Sequence, residues 1–203
     1  MSNASKGNDY GIVLLGAGSS SRLGTPKQLL VFEGLSLIKN AALIALEITS
    51  KVVVVAGAHA EKVQEELQTL RLTVSKNEAF KQGIASSIRV GLSCLLEKYI
   101  DIKGVIFMVC DQPYLSAGII NQLIIKANTS EKGIVACSYG NSLGIPALFT
   151  KKYFKELQQL EGDTGAKKLI MNHMVDVDTV LFPEGITDID TQEEWAKVMA
   201  RYH

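Results

Sequence analysis

The chain reads as an α/β domain built on a largely parallel sheet, and three observations predict this. Apolar runs within residues 10–15, 51–56 and 104–110 are continuous rather than alternating, as in strands buried on both faces. Between and after them apolar residues recur at helical spacing, as in Leu37, Ile38, Ala41, Ala42, Ile44, Ala45 and Ile48. With 203 residues, 47% hydrophobic and 21% charged, the chain can bury one sizeable core and has none of the bias of a disordered segment.

Taken in order, residues 10–15 form the first strand, closed by Gly16, and residues 36–48 form a helix. A second strand over 51–56, ending at Gly57, completes a β-α-β unit. Residues 61–70 predict another helix and 72–74 a short strand, after which Ile84, Ile88, Leu92, Leu95 and Tyr99 mark one face of a third helix. The strand over 104–110 is broken by Asp111-Gln112-Pro113, and Ile119, Ile120, Leu123 and Ile124 stripe the helix that follows. Residues 133–137 and 146–150 predict strands and 152–160 a helix. Thr191 with Glu194 is a capping box opening a last helix with Trp195, Val198, Met199 and Tyr202 on its apolar stripe. Nothing resembling a linker or repeat divides residues 10–203, which predicts one domain; residues 1–9 are expected to be a disordered N-terminal segment or tag remnant.

Charge and cysteine usage narrow the function classes. Twenty-one basic and twenty-one acidic residues cancel, which argues against a protein coating nucleic acid or a membrane surface. Cys94, Cys110 and Cys137, at spacings of 16 and 27 residues, fit neither a disulfide framework nor a CxxC zinc pattern. No run reaches the roughly 18 apolar residues of a membrane span, so a reduced, cytoplasmic setting is expected.

In parallel sheets ligands bind beyond the carboxyl ends of the strands, which directs attention to the loop after the first strand and to Asp111. The loop over residues 16–27, rich in Gly and Ser with the cations Arg22 and Lys27, is a phosphate-loop candidate. It lacks the Walker A arrangement, and a dinucleotide fingerprint fits only at Gly16 and Gly18; a plain strand-to-helix turn with two solvated cations is the alternative. Asp111 at the strand rim suits a Mg²⁺ bridging nucleotide phosphates, against capping of a helix at Ser116 or an Asx turn. Asp188 and Asp190 offer a second metal ligand, or simply acidic charge at a helix N-terminus. Ser86 and Ser87 could cap their helix or read a base. Residues 162–168 form a Gly-punctuated turn into a helix whose first turns carry cations, which hints at an anionic ligand nearby. His59 and His173 have no partner at ligand or triad spacing, and residues 19–21 lack the Gly-x-Ser-x-Gly elbow of hydrolases.

The pieces occur in a recognisable order. Residues 15–18, 21–24, 26–30, 86–92, 111–113, 144–146, 162–166 and 188–191 together resemble the nucleotidyltransferases of the molybdenum-cofactor cytidylyltransferase family, over about residues 10 to 200. The resemblance implies a Rossmann-like three-layer α/β/α fold with a mixed, mostly parallel sheet of the nucleotide-diphospho-sugar transferase type. It implies transfer of CMP from CTP, with Mg²⁺, onto the terminal phosphate of a molybdopterin-type acceptor, releasing pyrophosphate, with an apo-molybdoenzyme as a downstream partner.

Carried over, Leu15, Gly16, Ala17, Gly18 and Ser87 would hold base and ribose, Arg22 and Lys27 the triphosphate, and Asp111 and Asp190 the Mg²⁺, while Asp163 and Lys167 would face the acceptor. Two departures stand out. Gly16 replaces the usual Ala, expected to be mild in a loop, and Lys167 replaces a frequent Arg, exchanging a bidentate fork for a point charge. Ala17 resembles the cytidylyl rather than the guanylyl enzymes, which predicts CTP over GTP. Competing classes are a guanylyltransferase or other NTP transferase with a different phosphorylated acceptor, a nicotinamide- or flavin-binding oxidoreductase module, and a non-catalytic cofactor chaperone.

Overall fold

The computed structural model describes residues 9–20, 23–187, 189 and 191–200. The first half alternates as the apolar pattern requires: β1 (Tyr10–Gly16), a small hairpin of β2 (Val31–Phe32) and β3 (Leu35–Ser36), α1 (Leu37–Ile48), β4 (Val52–Ala56), α2 (Ala60–Leu67), β5 (Thr73–Lys76) and α3 (Ile84–Lys98). The second half continues with β6 (Gly104–Val109), α4 (Ala117–Thr129), β7 (Ile134–Tyr139), β8 (Ser142–Thr150), α5 (Phe154–Gln158), α6 (Ala166–Asn172), β9 (Val177–Leu181) and α7 (Gln192–Ala200). The bounds of α1 follow from local chemistry: Ser36 Oγ accepts the Lys39 N–H at 3.3 Å, the N-cap bond that relieves an orphan donor.

Seven strands form one sheet in the order β5-β4-β1-β6-β8-β7-β9. The β5-β4-β1-β6 half is parallel throughout, β8 runs antiparallel to both β6 and β7, and β9 returns parallel to β7. The sheet is therefore mixed and mostly parallel, the Rossmann-like α/β arrangement expected from the sequence. Chain order reverses about β1, whose neighbours β4 and β6 lie to either side, and the loops leaving β1 and β6 open the crevice in which such sheets bind ligands.

Alternate residues of β1 feed opposite faces. Ile12 and Leu14 pack beneath α1, α2 and α4, whereas Val13 and Leu15 pack beneath α3, α5 and α6, all fully or almost fully buried. Each such side chain contributes about 1.5–3 kcal/mol on burial, so the two layers dominate stability and the rim loops add little. Gly91 lets α3 lie directly on the sheet, since a Cβ there would stand 2.4 Å from Val13 Cγ1. That close approach sets the first turn of α3 over the end of β1. A third cluster joins Leu23, Phe32, Leu37, Ile189 and Val198, tying α7 and the β2–β3 hairpin to the loop after β1.

The structure departs from the sequence reading in several places. Gly16 is the last residue of β1 and buried, not part of the loop. A strand over residues 177–181 and the β2–β3 hairpin were not expected. The helix expected over 152–160 is a 3₁₀ turn, Lys151–Tyr153, followed by the short α5, and β8 begins at Ser142 rather than Pro146. The expected N-terminal segment lies outside the described residues except for Asp9. Tyr202, Arg22, Asp188 and Asp190 also lie outside them. Among the described residues no helix is long and apolar enough to cross a membrane.

Candidate active site

Beyond β1 the chain turns through Ala17, Gly18, Ser19 and Ser20, and what holds this turn is Gln28, a residue only 1% exposed. Its Nε2 donates to the carbonyls of Gly16 (3.0 Å) and Gly18 (2.6 Å). Ser20 takes a left-handed conformation at φ 53°, which costs a non-Gly residue about 1–3 kcal/mol. Its Oγ offsets that cost by accepting the Lys27 N–H at 2.9 Å and donating to Gln28 Oε1 at 3.4 Å. Gly18 and Ser19 are left exposed, and no atom stands within 4 Å of where a Gly18 Cβ would be, so the backbone here is open to a ligand.

Pro26 delivers the chain into the 3₁₀ turn Lys27–Leu29, and Lys27 reaches across to the end of β6. There its Nζ donates to Asp111 Oδ2, both side chains being largely buried (17% and 14% exposed). Asp111 does not cap α4: the N-cap of that helix is Ser116, without a side-chain bond. Its Oδ1 is buried with no hydrogen-bond partner among the described residues. Leaving a charged acceptor unsatisfied costs upwards of about 1–3 kcal/mol, so this oxygen is a fitting seat for a cation. A hard carboxylate oxygen at a phosphate-binding rim is the donor type Mg²⁺ takes, with substrate phosphates completing its shell. Among the described residues no three His, Cys, Asp or Glu side chains gather into a cage of their own.

Position at the rim is enforced from behind. Gln112 Nε2 donates to the carbonyls of Ile145 and Gly185, both at 3.2 Å, and the Ile189 N–H donates to the Asp111 carbonyl at 3.3 Å. Burial, and next the charge of Asp111, pushes the Cys110 thiol up to about 12, so it is no nucleophile.

The third wall is the start of α3. Gly83 adopts φ +93°, and a Cβ there would stand 2.3 Å from the Gly162 carbonyl oxygen, which also accepts the Ala85 N–H at 3.2 Å. This backbone contact docks the turn before α6 and brings Asp163 to the cleft. Asn77, 1% exposed, bridges the end of β5 to both Ser86 and Ser87.

These walls enclose a cleft of about 450 Å³ lined by Leu15, Ala17, Gly18, Ser19, Lys27, Phe80, Lys81, Gly83, Ile84, Ser87, Val109, Asp111 and Asp163. Seven of the expected site residues meet there: Leu15, Ala17, Gly18, Lys27, Ser87, Asp111 and Asp163. Gly16 lies beneath them in the strand. Lys167 is not a lining residue; its Nζ donates to Ser142 Oγ at 2.7 Å, at the start of β8. Arg22 and Asp190 fall outside the described residues. A cleft of similar size, about 480 Å³, lies between α1 and α2, but there Lys39 and Glu66 answer one another at 3.8 Å, and among the described residues no buried unsatisfied side-chain atom lines it. His173 lies in a separate cluster, its Nε2 2.8 Å from Glu156 Oε2.

Gln28 and Asn77 are the residues that sequence reading passed over. Gln28 lies within the motif at residues 26–30 and Asn77 lies ahead of the helix that bears Ser86 and Ser87, but neither carries a pattern that announces a buried amide clamp.

Comparison with known proteins accords with this geometry. The chain is 21% identical over 194 residues to the molybdenum cofactor cytidylyltransferase of Escherichia coli (strain K12), covering 94% of this chain and 95% of that protein. It is 25% identical over 202 residues to the purine catabolism protein PucB of Bacillus subtilis (strain 168), covering 92% and 94%. Among solved structures, Rv0371c of Mycobacterium tuberculosis H37Rv superposes with a TM-score of 0.79 at 26% identity, covering 95% and 98% of the two chains. The same protein in complex with manganese superposes with a TM-score of 0.71 at 22% identity, covering 95% and 99%. A family described as the MobA-like NTP transferase domain matches residues 12–177, and the chain belongs to that family.

Proposed function

We propose that this nucleotidyltransferase moves CMP from CTP, with Mg²⁺, onto the terminal phosphate of a molybdopterin-type acceptor and releases pyrophosphate. The observation that carries the reading is the Lys27–Asp111 pair, set at the cleft between an open glycine loop and the end of β6, with Asp111 Oδ1 unsatisfied. In-line attack of an already ionised phosphate on the α-phosphorus needs no general base, and the described lining residues include no histidine. What the reaction needs is a site that neutralises crowded anions and supports pyrophosphate as it leaves.

Lys27, with Arg22 beside it in sequence, supplies the positive charge for the triphosphate, and the open N–H groups at Gly18 and Ser19 add oriented dipoles. Asp111, with Asp190, holds the metal; Ile189, next to Asp190 in sequence, is bonded to the Asp111 carbonyl, which supports that pairing. When bound, Mg²⁺ supplies polarisation of the phosphates and charge neutralisation. The Ala17 methyl in the cleft wall favours a pyrimidine, and Asp163, with Lys167 of α6 bonded to Ser142 at the start of β8, faces the acceptor. The manganese complex of Rv0371c and the name of the Escherichia coli relative support metal and reaction class.

The test is pyrophosphate release with each of the four nucleoside triphosphates, with and without molybdopterin. Molybdopterin-dependent release with CTP fastest is expected. Faster incorporation of guanylate in direct competition overturns the base assignment, and release indifferent to molybdopterin overturns the acceptor. Cofactor binding with no pyrophosphate release from any of the four points to the chaperone alternative.

A further inference from the structure

Asn77 fixes the proton of a neighbouring hydroxyl. Its Oδ1 accepts the Ala79 N–H at 3.0 Å, and a backbone N–H only donates, so the side-chain oxygen is identified and the amide nitrogen faces the other way. That nitrogen stands 2.8 Å from Ser86 Oγ and 3.0 Å from Ser87 Oγ, and both hydroxyls therefore accept from it. Ser86 passes its own proton to the Gly83 carbonyl (2.8 Å) or the Ala79 carbonyl (3.0 Å). Ser87 has no such outlet: among the described residues the bond from Asn77 is its one side-chain hydrogen bond. The residue is 4% exposed and forms part of the cleft wall, with Ala17 and Phe80 also lining that cleft.

We propose that Asn77 is a positioning residue for base selection: it makes Ser87 a hydrogen-bond donor toward the cleft, so the base seated there must present an acceptor. This rests on the nucleotide reading of the cleft and adds a rule to it. Lys27 and Asp111 take the charged end of the ligand, which leaves the heterocycle for the Ser87 wall. Cytosine offers adjacent acceptors, a ring nitrogen and a carbonyl oxygen, whereas uracil carries an N–H at the same ring position. An obligate donor at Ser87 thus favours cytosine over uracil, because a donor facing an N–H leaves two buried donors unpaired.

Asn77→Asp inverts the device. The carboxylate still accepts from Ala79 but presents an acceptor where the amide donated, so Ser87 turns its proton inward and shows the cleft only lone pairs. Calorimetric titration of CTP, UTP and inorganic pyrophosphate compares the wild type with Asn77→Asp, Ser87→Ala and the double variant. Pyrophosphate, which has no base, measures the added repulsion on phosphates. The wild type is expected to bind CTP at least about tenfold more tightly than UTP, and Asn77→Asp to reduce that ratio about tenfold. In the Ser87→Ala background Asn77→Asp should not move the ratio further. Asn77→Ser, too short to reach Ser87, should lower the ratio in the same direction and serves if the Asp variant does not fold. Equal wild-type affinities for CTP and UTP, a ratio unmoved by either Asn77 variant, or a shift that persists without the Ser87 hydroxyl overturns the inference. A wild-type chain that binds none of the three ligands overturns the nucleotide reading itself.

Discussion

Lys27 and Asp111, 84 positions apart, are joined by a hydrogen bond from Nζ to Oδ2 that ties the loop after β1 to the end of β6. If Asp111 seats the metal as proposed, Asp111→Asn keeps the shape and removes the charge that holds it. Pyrophosphate release is expected to fall at least about 100-fold, while the melting temperature stays within a few degrees. Near-normal turnover at saturating Mg²⁺ would remove the metal role from this residue.

Two amide hydrogen bonds from Gln28 hold the carbonyls of Gly16 and Gly18. Gln28→Glu is the informative change, since a carboxylate cannot donate to either. It is expected to cost about 2–3 kcal/mol and lower the melting temperature by about 4–12 °C, with weakened nucleotide binding as the loop loosens. Calorimetry of unfolding checks the first expectation and a CTP titration the second.

Two glycines at the site separate space from backbone. A Cβ at Gly16 would meet Ile38 Cδ1 at 2.9 Å, the far end of a side chain that can turn aside, so Gly16→Ala is expected to cost under about 1.5 kcal/mol. Gly83 combines φ +93° with a Cβ position 2.3 Å from a backbone oxygen. Gly83→Ala should cost about 3 kcal/mol or more and displace the turn bearing Asp163. Equal melting temperatures for the two variants would contradict this ranking.

Thiol chemistry gives a reading of burial. Cys110 and Cys137 are buried, and burial raises both thiols to about 12, whereas Cys94 is half-buried. Titration of the native protein with an aromatic disulfide at pH 8 should therefore label one cysteine rapidly, identified as Cys94 by peptide mass. The remaining two should react only on unfolding.

Asp176 accepts from Lys152 Nζ at 2.8 Å and from the Tyr153 hydroxyl at 2.5 Å, and these bonds lower its carboxyl to about 2 from 3.8. A depressed folded value contributes stability that is present above the unfolded value near 3.8 and lost as pH falls through about 2. Asp176→Asn should melt below the wild type at pH 7, and the gap should close between pH 4 and about pH 2. A gap constant over that range would show that the charge is not what stabilises this corner.

How far the sequence reveals the molecule follows from which forces are local. The buried strands and the Thr191–Glu194 capping box were legible because each is set by neighbours in sequence; the Glu194 N–H donates to Thr191 Oγ1 at 3.2 Å and the Thr191 N–H to Glu194 Oε2 at 2.8 Å. The last strand, β9, was not legible, because it is an edge strand with Val180 its one buried residue. Its place is decided by pairing with β7, which no local pattern encodes. The rim residues Lys27, Ser87 and Asp111 emerged from chemistry and order of motifs. Gln28 and Asn77, which orient them, are buried amides whose partners lie 9 to 12 positions away or reach across turns, and their roles exist only once the chain is folded.

β8 runs against β6, so its first residues stand beside the rim at which β6 ends, and they come from a hairpin that β6 does not control. The two sides of the crevice thus hang on different connections. The Gly18 and Lys27 side is held to the parallel half by the Gln28 clamp, while Ser142, beside the rim but outside the cleft lining, follows the short turn between β7 and β8. If this rim meets the acceptor as proposed, a library of insertions between Tyr139 and Ser142 is where retargeting of this scaffold would begin.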